Sequence, residues 1–426
     1  MQNFEENFHL FNYLKNIYFS KNELFEYIRY ELDNKIYYEG SYFREHPVAK
    51  SFSFANIKEY ILLFYSFYTK FQAKRKQFPD KVILSSSYIN LNSQINELKY
   101  LVLSPPWQVS KYMLSNWNLF KQTRDIKFSF RDLNFNELNK EQFQTKIFEI
   151  KLLIKEYFFN QNIAALILPH DMGFFEKLSV DICKELDITT FNYTHGTLHQ
   201  FYNLIDDNRT DYLIVWGKKS KEAFEKMGWG KSKVFVAGNP KYQKLPQKLE
   251  FGNSNILVIT KGMNGGQFSD RIRLTDKGNC ILYLYSVQHV LQQLGIKKAR
   301  FRPHPSESII WYQKFLDNDF YKPDTDFLKD SLEQASLVIG PISTLFVESL
   351  YYEKNYVIYE PVNNGMNMLN SEMTPPIDGS DERIPLATSE EELLYILKNR
   401  IKVELEVFGD YIKVPFDISF IKDLIK

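Results

Sequence analysis

From residue 80 onward, short uninterrupted apolar runs alternate with longer stretches of helical period. Residues 164–168 contain no polar side chain and stop at Pro169. Comparable runs occupy 81–85, 188–193, 211–216, 233–237, 255–260, 298–302, 336–340 and 355–359. Between them the spacing predicts helices over 137–160, 176–186, 218–227 and 277–294. Further helices are expected from about residue 309, after Ser343, and over 388–403. Strands that are apolar on both faces, each followed by a helix, predict parallel sheets covered on both sides.

The alternation breaks once. Residues 242–255 are polar and include Pro246, Gly252 and Asn253, a linker composition. The expected architecture is α/β, with one Rossmann-like domain over 1–245, a second over 246–426, and a cleft between them. The last helices are expected to pack back on the first domain. Residues 1–75 do not follow the alternation. They read as helical and aromatic, with Tyr27, Tyr30, Tyr37, Tyr38 and Tyr42 among charged residues. Such a region either caps the first sheet or offers a platform to an acceptor or a membrane surface.

Open α/β sheets bind ligands beyond the carboxyl ends of their strands, and several polar residues gather there. His170 and Asp171 follow the 164–168 run. Asp171 is a candidate general base or nucleophile, or the N-cap of the next helix. His195 precedes Gly196, which permits a sharp turn that exposes the imidazole as a base or phosphate contact. Lys261 and Gly262 open a glycine-containing stretch suited to close backbone approach to a phosphate. It is neither a Walker A nor a GxGxxG sequence. Arg302, His304 and Pro305 form an Arg-x-His-Pro turn. Arg302 suits bidentate phosphate pairing, and His304 suits neutralising or protonating a departing phosphate. Ser343 and Thr344 open a helix with Glu348 one turn deeper, an arrangement for an anion and for ribose hydroxyls. Asp324 and Asp326 spell a metal–nucleotide motif, but Lys322 and Pro323 precede them, and a surface turn is expected.

Composition narrows the classes. A chain of 426 residues supports two or three domains. A net charge of +1 and the lack of a basic stripe disfavour nucleic acid. Cys183 and Cys280 sit inside helical patterns, as small buried residues of a reducing cytoplasm. Residues 1–11 carry no signal-peptide pattern, and no apolar run approaches membrane-spanning length. No zinc-type spacing occurs, so no metal or cofactor is expected.

The ordered set of His195-Gly196, Gly238-Asn239-Pro240, Arg302 to Pro305, and Ser343, Thr344 and Glu348 resembles GT-B glycosyltransferases that build bacterial surface polymers. It is similar to three groups that use cytidine nucleotides. These are sialyl- and polysialyltransferases, capsule and lipopolysaccharide Kdo transferases, and CDP-glycerol glycerophosphotransferases. The resemblance implies a metal-independent transferase in a GT-B fold. The second domain would bind the nucleotide sugar, with His304, Ser343 and Thr344 on the phosphate and Glu348 near the nucleotide. Asp171 or His195 would be the acceptor base. The acceptor would be a glycan or lipid-linked glycan, met in the cytoplasm or at the inner face of the membrane. The sequence departs from the sialyltransferase acidic motif at His170-Asp171-Met172-Gly173 and from the glycerophosphotransferase His-Gly motif at Thr194-His195-Gly196-Thr197-Leu198. A CMP-linked donor (Kdo, sialic or a related nonulosonic acid) is the expectation. CDP-glycerol transfer, UDP-sugar transfer or 2-epimerisation, and a non-catalytic assembly scaffold stay open.

Overall fold

The computed structural model describes residues 27, 28, 31 and 81–425, apart from 88, 109–115, 132–139, 172, 195, 197–208, 227–232, 262–275, 306, 364 and 370–378. The expected helical, aromatic region over 1–75 lies almost wholly outside the described residues.

Two six-stranded sheets organise the chain. The first contains β1 (Val82–Ser85), β2 (Leu101–Leu103), β3 (Ile163–Leu168), β4 (Thr189–Tyr193), β5 (Tyr212–Val215) and β6 (Lys233–Val236). Its spatial order is β2-β1-β3-β4-β5-β6, and every pairing is parallel. The second contains β7 (Ile256–Ile259), β8 (Ala299–Arg302), β9 (Tyr321–Pro323), β10 (Leu337–Gly340), β11 (Tyr356–Tyr359) and, past a small antiparallel hairpin of β12 (Val362–Asn363) and β13 (Met366–Asn367), β14 (Leu386–Ala387). Its order is β14-β11-β10-β7-β8-β9, again all parallel. The fold is therefore α/β with two Rossmann-like parallel sheets, the GT-B expectation.

Both sheets reverse direction once. The chain leaves β1 for β2 on one side and returns to β3 on the other. It leaves β7 for β8 and β9, then returns to β10. Ligands of open α/β sheets bind outside such switch points. The strands here are continuous apolar runs because both faces are covered: β7, β10 and β11 are buried at every position.

The polar stretch 242–255 is not a free tether. Glu250 bridges in parallel to Lys354, and the N–H of Asn255 donates to Ser336 Oγ at 2.9 Å. At the other end, residues 412–425 run along the first sheet. The N–H of Lys413 donates to the carbonyl of Trp216 at 2.8 Å, and that of Asp417 to Ala237 at 2.9 Å. Phe420 stacks on Phe235 with centroids 5.0 Å apart. One buried apolar cluster contains Ile83 and Ile167 of the first sheet, Leu257 and Val338 of the second, and Tyr411 and Ile418 of the chain end. Among the described residues, no helix is long and apolar enough to cross a membrane.

Candidate functional site

Neighbouring parallel strands lie about 4.8 Å apart, so residues that follow β7, β8 and β10 converge. Thr260 is the pivot. Its Oγ1 donates to Glu307 Oε2 at 3.0 Å and accepts the N–H of His304 at 3.3 Å. Tyr312 donates its hydroxyl to the same Glu307 oxygen at 3.0 Å. The Arg-x-His-Pro turn is thereby tied to the end of β7, and the backbone of His304 is fixed while its side chain stays exposed. Partial burial holds the imidazole below its ordinary pKa, which favours the neutral ring before any anion binds. Lys261 is half-buried beside this turn.

The loop after β10 is held from three directions. Tyr356 donates its hydroxyl to the carbonyl of Pro341 at 2.6 Å. Glu360, fully buried past β11, accepts the N–H of Ile342 at 2.6 Å. Ser343 Oγ accepts the N–H of Leu345 at 3.2 Å and closes the turn. Gly340 allows the close approach, because a side chain there would collide with Tyr356 and Ile259. Ser343 and Thr344 are thus presented at the switch point on a preformed turn, ahead of the helix Leu345–Tyr351.

The expected site residues divide. Lys261, His304 with Pro305, and Ser343 with Thr344 are brought to one sheet end, around Thr260, which was not expected. Arg302 is drawn elsewhere: its guanidinium donates to Asp324 at 2.8 Å and to Ser331 Oγ at 3.0 Å. Asp324 is not the expected surface residue. A three-residue edge strand, β9, precedes it, and it lies buried between Arg300 and Arg302. Glu348 pairs with Lys241, which follows Gly238-Asn239-Pro240 of the first half. Asp171 is 3% exposed, and its Oδ2 accepts the N–H groups of Arg209 at 2.6 Å and Thr210 at 3.2 Å. It does not cap the following helix, Phe174–Glu185, whose N-cap is Gly173. His195 and Gly262 lie outside the described residues.

Glu307, Glu360 and Lys241 were missed. Glu307 sits three residues past His304, with no motif to mark it. Glu360 immediately follows the 355–359 apolar run, and the strand-end rule applied to the other candidates would have found it.

No protein-family model and no curated protein matches the sequence. Solved structures similar to it include the UDP-GlcNAc 2-epimerase of Methanocaldococcus jannaschii, at 12% identity over 81% of this chain and 98% of that one, with a TM-score of 0.43. MurG of Acinetobacter baumannii is 11% identical over 81% and 98% of the two chains, with a TM-score of 0.43. The wall teichoic acid polymerase TagF is 11% identical over 88% and 98%, with a TM-score of 0.36.

Proposed function

We propose that the chain is a GT-B glycosyltransferase that transfers a sugar from a nucleotide donor to a bacterial surface glycan. The preferred donor is CMP-linked: Kdo, sialic acid or a related nonulosonic acid. The observation that carries this reading is the convergence of Thr260, Lys261, His304 and Ser343 at the switch point of the second sheet. Backbone amides, hydroxyls, one lysine and one histidine suit a phosphate ester. The transfer would need no metal. His304, protonated against the phosphate, donates to the departing phosphate oxygen as the sugar–oxygen bond breaks. The acceptor hydroxyl oxygen forms the new bond and loses its proton to a base in the first domain. The acceptor, a glycan or lipid-linked glycan, is met in the cytoplasm or at the inner membrane face.

Thermal shifts with CMP, CDP, UDP, GDP and ADP, on wild type and His304→Ala, test the reading. A CMP or CDP shift lost in the variant supports it. A UDP-only shift moves the donor to UDP-sugars and brings the transferase or epimerase alternatives forward. No shift with any nucleotide rejects the donor site and leaves the scaffold reading.

A further inference from the structure

The carboxyl end of β3 carries charged side chains that the nucleotide site does not use. It lies at the switch point of the first sheet, beside β1. Glu31 reaches it from the N-terminal region, and its Oε1 accepts the N–H of Phe174 at 2.7 Å. Its Oε2 is buried and has no hydrogen-bond partner among the described residues. Glu176 lays its carboxylate against Gly173, where any side chain would collide with it. His170 Cε1 lies 3.5 Å from that same position. Lys177, 1% exposed, acts electrostatically on Glu31, as Glu176 does.

Asp171 stands next to this group, and one of its carboxylate oxygens is already engaged. Its Oδ2 holds two backbone amides, which stabilise the anion and orient the entry to β5. A cap in trans at Phe174 requires only one carboxylate oxygen of Glu31. The second oxygen is left buried, at the strand end where an acceptor would enter.

We propose that Glu31, rather than Asp171, accepts the proton of the acceptor hydroxyl, with His170 and Glu176 beside it past the end of β3. The proposal rests on the transferase reading. In the step, the acceptor O–H proton passes to Glu31 Oε2, and the oxygen lone pair forms the bond to the sugar carbon. The sugar–phosphate C–O bond breaks, and its electron pair stays on the nucleotide. The electrostatics agree. Burial pushes the Glu31 carboxyl up to about 7 and Glu176 adds to this, against the Phe174 N–H and Lys177. A base is most effective when its pKa lies near the operating pH.

The test compares wild type, Glu31→Gln and Asp171→Asn. Glutamine keeps the Oε1 acceptor for Phe174. Nucleotide release is followed from CMP-Kdo, CMP-sialic acid, CDP-glycerol and UDP-N-acetylglucosamine, with water as acceptor. The expected result is a wild-type rate that rises through about pH 7, and a fall of about 100-fold in Glu31→Gln with that limb lost and the nucleotide thermal shift retained. Glu31→Gln within about twofold of wild type, limb intact, overturns Glu31 alone. Loss of rate and nucleotide shift together returns Glu31 to a structural cap. Release from no donor by wild type overturns the transferase reading and the role of Glu31 with it. A second measurement needs no substrate. The folded wild type must ionise a buried acid as pH rises from 4.5 to about 7, so Glu31→Gln should gain thermal stability over wild type between about pH 5 and 8. A difference that does not change with pH overturns the proposal.

Discussion

Arg302 turns its guanidinium into Asp324, 2.8 Å from Oδ1, while Arg300 takes Oδ2 at 2.9 Å. The Asp324 side chain is 1% exposed. One buried anion therefore pairs with two cations and fixes the β8–β9 edge from which His304 emerges. Removing one member of such a group strands the others in a low dielectric. Asp324→Asn should cost about 3–5 kcal/mol of stability, read from the denaturant midpoint. Arg302→Ala should also destabilise, and its nucleotide affinity, measured on the folded fraction, should stay within about threefold of wild type. A larger loss of affinity at full stability would return Arg302 to the phosphate.

The His304 imidazole is held below 6.5 in the free protein, because partial burial disfavours its charge. A bound phosphate favours the imidazolium and raises the pKa in the complex, so binding takes up a proton. Affinity is then strongest at acid pH and falls as pH rises through the pKa of the complex. The phosphate's own titration affects wild type and variant alike. The ratio of wild-type to His304→Gln affinity should therefore be largest near pH 5.5 and approach one by about pH 9. Calorimetry at several pH values checks this, and a flat ratio would show that His304 never charges.

Thr260 joins β7 to the His304 turn through Glu307 and the His304 N–H. Thr260→Val keeps the shape and removes the hydroxyl. It should cost about 1–2 kcal/mol of stability, because two partners lose a hydrogen bond. It should also weaken nucleotide binding, through displacement of His304. Thr260→Ser restores the hydroxyl and should restore both readouts.

Gly238 has φ +88°, a conformation that side chains rarely adopt, and the Lys413 carbonyl sits where a Cβ would go. Tyr193 locks the same residue by donating its hydroxyl to the Gly238 carbonyl at 2.6 Å. Gly238→Ala should cost about 1–3 kcal/mol and loosen residues 412–425 from the first sheet. Faster proteolysis within that segment, seen by mass spectrometry, is the expected sign. Equal cleavage rates would mean that the chain end is held instead by Phe420 on Phe235 and by the Thr189 hydroxyl, which donates to the Leu424 carbonyl at 3.1 Å.

The long apolar strands were legible because burial on both faces leaves no polar position in the run. β3 and β7 were found to within a residue. β2 and β9 were not: each has three residues, and β9 ends in Pro323, which reads as a breaker. The helix Leu328–Gln334 was missed because it is short and mostly polar. The strand-end rule places His304, Ser343 and Thr344 at one end of the second sheet, as the structure does. It could not say which polar residues would be consumed by neighbours. Arg302 and Asp171 have the right chemistry in the right place along the chain, but their partners, Asp324 and the Arg209–Thr210 amides, lie 22 and 38 residues or more away. Lys241 and Glu348 are 107 residues apart and meet only when the two halves pack.

That Lys241–Glu348 contact sets a competition. Glu348 is 12% exposed in its side chain and Lys241 47%, so the pair itself contributes little, about 0–1 kcal/mol. Glu348 is the carboxylate expected to accept ribose hydroxyls. To do so it must release Lys241. Lys241→Met removes the competitor and should tighten nucleoside monophosphate binding by about two- to fivefold. Glu348→Gln should weaken it, and the double variant should match Glu348→Gln. Raising salt should narrow the difference between Lys241→Met and wild type, because a half-exposed ion pair is screened, while it weakens phosphate binding in every variant alike. Calorimetry on the three variants at low and high salt separates the alternatives. If Lys241→Met weakens binding as Glu348→Gln does, the pair organises the junction of the two halves, and Glu348 does not meet the ribose.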